Sequence, residues 1–198
     1  MKLNPKHGRR SYGQALVETA LMLPLLIILV LNVINFGYCF LVSLNLSSAP
    51  RSGVLYSIMG FSTPGTLNLP KAGPPGTNST VSYLTYQDIT GALSNPGGTS
   101  STTTQIQVCS TSIGVGSAGT SSCVTCSGGS CSAGSSISAP GADPEPANFY
   151  LQRVDIQYQF KPLISGFPFG ALLPSACTGS SGNMTCTFTR HVSMRAMN

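Results

Sequence analysis

The sequence predicts an α+β protein, with a long N-terminal transmembrane α-helix followed by a small antiparallel β-sheet domain whose long loops are disulfide-stapled. Three observations predict it. From Thr19 to Pro50 the chain has no charged side chain. Beyond Gly60 the sequence turns to Pro, Gly, Ser and Thr, with short runs that alternate apolar and polar residues. Six of the 7 cysteines lie beyond the apolar run, an even number suited to disulfides.

The helix comes first. Leu16 to Val42 is long enough to cross a hydrocarbon layer of about 30 Å at 1.5 Å per residue. It exceeds the core of a secretory signal, which is about 7–15 residues. Ser47-Ser48-Ala49 is followed by Pro50, a poor residue at a signal-peptidase cut. A retained single-pass helix is therefore expected, with helical structure from near Gln14 to about Ser48. Pro50 is expected to break or kink it, with a further turn reaching Met59. Pro24 removes one backbone hydrogen bond inside the span and should bend it. Lys2, Lys6, Arg9 and Arg10 precede the span with no acid among them, which holds the N-terminus in the cytoplasm and sends the C-terminal domain outward. The organisation expected is a polar leader over 1–13, the helix over 14–59, and an extracytoplasmic β-rich domain over 60–198 with a Gly/Ser/Cys-rich loop at 95–146.

Composition agrees with an extracytoplasmic domain. Charged residues make up 8% of the chain, against a usual share of about 25%. The net charge of +5 is concentrated ahead of the span, so the folded part offers no basic face for nucleic acid.

Four runs suggest strands. Val81 to Tyr86 and Gln105 to Cys109 alternate over short stretches. Arg153 to Phe160 alternates strictly, with Val154, Ile156, Tyr158 and Phe160 on one face, and Met184 to Met194 is similar. The last two read as half-buried antiparallel strands. Asn95 to Thr104 and Ser110 to Pro146 read as long loops.

Cys39 lies within the apolar run and reads as a small packing residue. Cys109, Cys123, Cys126, Cys131, Cys177 and Cys186 admit 15 pairings. The favoured one joins Cys177 to Cys186 across a Gly/Ser loop, with Cys109 pairing into the Cys123/Cys126/Cys131 cluster. Zinc at Cys123-x-x-Cys126 with Cys131, a redox CxxC and free thiols are the alternatives. No histidine lies near the cluster and no thioredoxin-like βαβ pattern surrounds it, so disulfides rank first.

No catalytic constellation assembles. Asp143 and Glu145 flank Pro144 in a solvated turn, Asp155 is expected to face solvent, and His191 reads as a surface strand residue. There is no G-x-S-x-G elbow. Neither an enzyme nor a cofactor or metal site is expected.

The one carboxylate at the entrance of the span, Glu18, needs a reason, because an unpaired charge at the bilayer centre costs about 2.5–3.5 kcal/mol on insertion scales. A cut after Gly13 would give Gln14 a new α-amino group, four residues from Glu18. That amine could belong to the same chain or to a neighbour. At about 100° per residue, Asn32, Asn35, Cys39 and Ser43 share a broad face with Glu18, and such a stripe in lipid suits helix association.

Arg9-Arg10-Ser11-Tyr12-Gly13-Gln14-Ala15-Leu16-Val17-Glu18, followed by Leu21-Met22-Leu23-Pro24-Leu25-Leu26, resembles the N-terminus of TadE-like pseudopilins, minor components of the tight-adherence (Flp-type) pilus system. Asn35-Phe36-Gly37 matches that family's acidic-Phe-Gly step with Asn in place of the acid. Ala49-Pro50-Arg51-Ser52-Gly53 resembles its Ala-Ala-Arg-x-Gly stretch. Tyr158 to Leu163 and Ser193-Met194-Arg195 resemble its late strand and terminal Met-Arg, so the likeness covers about residues 9–59 and 150–196. Thr19 departs from the Phe or Tyr common in relatives. The resemblance implies removal of the leader between Gly13 and Gln14 by a prepilin peptidase in the bacterial inner membrane. Glu18 would then serve processing or subunit alignment, and Arg9 and Arg10 would hold the leader in the cytoplasm. It further implies other pilins and the inner-membrane assembly platform as partners, and a role in pilus assembly, adhesion and biofilm formation. The alternative is an unprocessed single-pass adhesin or envelope scaffold.

Overall fold

A computed structural model of the chain describes residues 10–59, 72–73, 80–90, 102–112, 121–138, 149–164, 177–178 and 185–197. Its elements are α1 (Arg10–Met59), α2 (Val81–Thr90), β1 (Thr104–Ser112), β2 (Ser121–Ser127), β3 (Ser130–Ala133), β4 (Phe149–Phe160), β5 (Cys177–Thr178) and β6 (Thr185–Met197).

α1 runs 50 residues without a break, about 75 Å at 1.5 Å per residue. It continues through Pro50 to Met59, with no break at the proline. Pro50 and its neighbours Ala49, Gly53 and Val54 are buried against the rest of the fold, so packing holds the helix through the proline. Ser47, Ser48 and Ser52 donate back to the carbonyls of Leu44, Asn45 and Ala49 at 2.6, 3.0 and 2.9 Å, bonds local to the helix on either side of the proline.

The helix has two unlike halves. Every described side chain from Gly13 to Val30 is exposed. From Asn35 onward one face is buried, at Asn35, Cys39, Val42, Leu46, Ala49 and Gly53. That spacing of three and four keeps one stripe toward the sheet.

The six strands form one antiparallel sheet in the order β3-β2-β1-β4-β6-β5. α1 and α2 cover one face. Ile106 and Val108 of β1, and Val154, Ile156, Tyr158 and Phe160 of β4, make the buried layer beneath them. The alternating face of β4 read from sequence is thus the core face. Tyr38 of α1 lies 5.4 Å from Phe160, which meets Phe188 of β6 edge-on at 5.9 Å.

Two stretches differ from the sequence reading. Val81 to Tyr86 forms α2 instead of a strand. Its alternation is also compatible with helical spacing, and the buried residues Val81, Ser82, Thr85, Tyr86 and Ile89 follow the helical repeat. Thr80 caps it, its Oγ1 accepting from Tyr83 N at 3.2 Å. The supposed loop from Ser110 to Pro146 contains β2 and β3, and the loop assigned to 95–146 contains β1 as well. Gly128 and Gly129, at φ 61° and 81°, make the two-residue turn that joins β2 to β3.

Where helix and sheet meet, side-chain volume is scarce. A Cβ at Gly53 would overlap Thr85 Oγ1 of α2 and lie 3.5 Å from Val154 Cγ1 of β4. Gly53 therefore sets how closely α1 crosses both.

Candidate functional site

Gly13, Gln14 and Glu18 stand on the exposed half of α1. Gly13 is helical, and a Cβ there would meet nothing within 4 Å, so packing does not require glycine at this position. Among the described residues no ion pair reaches Glu18. Arg9 and the rest of the leader before it lie outside the described residues, as do Asp143 and Glu145; Arg10 opens α1.

The polar residues grouped on one face divide in use. Asn32 turns back on its own helix, Nδ2 donating to Ile28 O at 2.9 Å, and Thr19 Oγ1 does the same to Ala15 O at 2.7 Å. Asn35 is fully buried and faces the chain's own β domain. Its Nδ2 donates to Ile164 O at 3.1 Å and its Oδ1 accepts from Ile164 N at 3.0 Å, so one side chain serves both backbone groups of that residue. Cys39 packs in the core beneath the sheet and is a free thiol. Ser43 receives a 3.5 Å contact from Arg190 Nη2 of β6. The stripe read from sequence as a face toward other helices is therefore, at Asn35 and Cys39, the seat of this chain's own sheet. On the opposite side of α1, Leu29, Asn32, Val33, Phe36, Gly37 and Phe40 line an open apolar groove of about 480 Å³.

The six cysteines beyond α1 form three disulfides: Cys109–Cys123, Cys126–Cys131 and Cys177–Cys186. Each joins residues directly opposite on neighbouring antiparallel strands, β1–β2, β2–β3 and β5–β6. Their Cα–Cα separations of 4.1, 4.1 and 3.9 Å match the close spacing of narrow antiparallel pairs. Gly73 packs on the second of them, where a Cβ would overlap both sulfurs. Two of the three bonds thus fasten the short strands at the two edges of the sheet.

The sheet face away from α1 holds residues that the sequence reading missed. Asp155 is fully buried instead of facing solvent. Arg153 Nε and Nη2 donate to its Oδ1 at 2.9 and 2.6 Å, and Gln107 Nε2 donates to its Oδ2 at 3.3 Å. Gln107 also accepts from Ser136 N and Ile137 N at 2.9 and 3.0 Å and donates to Ser138 O at 2.7 Å. Its amide holds segment 134–138 over the sheet, and that cover removes Asp155 from water. The available sequence signal was Gln107 alternating with Ile106 and Val108. That alternation separates Gln107 from the apolar face, but nothing in it points to a covering segment. His191 is exposed and stands opposite Asp155 in register, whose carboxylate is already engaged by Arg153 and Gln107. Among the described residues no group of three or more His, Cys, Asp or Glu could hold a metal ion.

The arrangement defines a class: an α+β protein whose first helix is long and apolar enough to cross a membrane and then serves as the spine of a disulfide-linked antiparallel sheet. Residues 13–54 match the family described as TadE-like protein. No curated protein and no solved structure matches the chain. The matched segment begins at the expected cleavage glycine and ends one residue beyond Gly53, the helix–sheet crossing. The likeness read at 150–196 lies outside it.

Proposed function

We propose that the chain is a minor pseudopilin, a peptidase-processed accessory component of tight-adherence pilus assembly. The TadE-like match over residues 13–54 carries this reading. It coincides with the helix segment that holds Gly13, Gln14 and Glu18 and then docks the sheet. In this reading a prepilin peptidase of the bacterial inner membrane cuts between Gly13 and Gln14. The bare half of α1 stays in the membrane, the N-terminus is cytoplasmic before cutting, and the β domain is outside.

The exposed site suits cutting in one respect. Gly13 and the residues that follow it to Val30 are exposed, so opening the helix on that side breaks local hydrogen bonds and no tertiary packing. Cutting creates the amine of Gln14, and Glu18 lies one helical turn away to receive it or the amine of a neighbouring subunit. Other pilins and the assembly platform are the partners. The role is structural, with adhesion and biofilm formation as its consequence.

The test is complementation with Glu18→Gln in a strain that lacks the protein, with pili counted by electron microscopy. The variant is expected to reach the membrane and to restore few or no pili. Wild-type pilus numbers would remove the carboxylate from the mechanism.

A further inference from the structure

We propose that the residues leaving β4, Lys161 to Ile164, rest on the phospholipid surface and form a second membrane contact beside α1. The proposal depends on α1 being a membrane span, and its test separates the two. The contacts along α1 fix which end of the sheet faces the bilayer. Ser57 bonds Gln152 at 3.1 Å, Gly53 approaches Val154, Tyr38 stacks near Phe160, and Asn35 bonds Ile164. As β4 advances, it descends α1 toward the bare, apolar half. Gly13 to Ile34, at 1.5 Å per residue, is about 33 Å long and fills a hydrocarbon layer. Asn35, the first buried residue, therefore marks the outer surface of the bilayer, and its two hydrogen bonds bring Ile164 to that level.

The chemistry of this tip fits lipid. Among the described residues Leu163 is the only large apolar side chain outside α1 that is exposed, at 61%. Phe36 and Phe40 are exposed on α1 near the same level, at 53% and 58%. Lys161 is exposed two residues before Leu163, and in the sequence no charged residue lies between Lys161 and Arg190. The described acids of the outer domain are placed elsewhere: Asp88 is bonded to Ser52, well up α1, and Asp155 is buried on Arg153. A cation next to an exposed leucine, continuous with the surface of the span, suits an anionic headgroup layer with acyl chains beneath it. A single helix leaves the outer domain free to tilt and rotate about its exit point; a second contact fixes both.

The chain contains no tryptophan, so single reporters are available in the full-length protein. Leu163→Trp, Val30→Trp and Ser193→Trp would be placed in nanodiscs of phosphatidylethanolamine and phosphatidylglycerol, and quenching by brominated lipid and by aqueous iodide compared. The expected result is bromolipid quenching of the L163W and V30W chains several-fold above that of S193W. Quenching of V30W with L163W behaving like S193W would overturn the second contact and leave the span standing. An L163W reporter shielded from iodide but not quenched by bromolipid would also overturn it, since protein then covers the site. No lipid quenching in any of the three would remove the span and the second contact together.

Discussion

Asn35 does the work of a short strand. Its amide offers one donor and one acceptor, and Ile164 needs one of each. Replacing it by Ala removes both hydrogen bonds to the half-buried Ile164, a loss of about 0.5–1.5 kcal/mol for each. Thermal melting in detergent should show a lower midpoint for Asn35→Ala, with faster hydrogen exchange at the Ile164 amide. Unchanged exchange there would contradict the pairing. Gly53 makes the opposite demand, for absence of volume. Gly53→Val is expected to cost about 1–3 kcal/mol by overpacking, because the added carbons meet Thr85 and the Val154 side chain at once. The same thermal melting of Gly13→Ala should show no loss, since a Cβ there would meet nothing within 4 Å. Equal losses at both glycines would refute the distinction between a packed glycine and an unpacked one. Asp155 teaches a related point. Strict alternation located its face correctly but not its environment, because burial comes from segment 134–138, held by Gln107 across 31 residues of sequence.

At the scale of elements, the legible parts were those with long, unambiguous periodicity. The apolar run gave α1, and Arg153 to Phe160 gave the core face of β4. Val81 to Tyr86 was misleading because six residues are too few to separate a period of two from one of 3.6; Thr80 as a cap was the signal to weigh. The β2–β3 hairpin was hidden because its arms are mostly Ser and Cys, with Val124 the one large apolar residue to mark a period, although Gly128-Gly129 is a turn signal between them. β4 also carries a titration signature. Burial, with smaller contributions from Tyr38 and Tyr86, holds the Tyr158 phenol above its ordinary value of about 10, and burial does the same for Tyr86. The unfolded chain then ionises first. The stability associated with these neutral phenols is complete below about pH 10 and is lost as pH rises from there through the higher folded values. Absorbance at the phenolate band should rise late in the native protein and coincide with loss of near-ultraviolet ellipticity. Full ionisation at the ordinary value with the fold intact would contradict their burial.

At the scale of the whole molecule, one helix has two environments. Its first half is unpacked and its second half is the spine of the sheet, and the match over residues 13–54 spans both. The cysteine pairing belongs to the same scale. Sequence favoured Cys177–Cys186 and left the cluster open, since spacing cannot order four cysteines; strand register does so by placing each pair face to face. On the chain-entropy model each bond contributes about 2–3 kcal/mol, which supports edge strands of 4 and 2 residues. The central claim, that this is a processed pseudopilin, is tested most directly by the intact mass of the protein isolated from membranes. The account predicts a chain that begins at Gln14, with or without loss of ammonia from a cyclised Gln14, and that carries three disulfides. A chain that retains residues 1–13 in the assembled, membrane-borne form would contradict it.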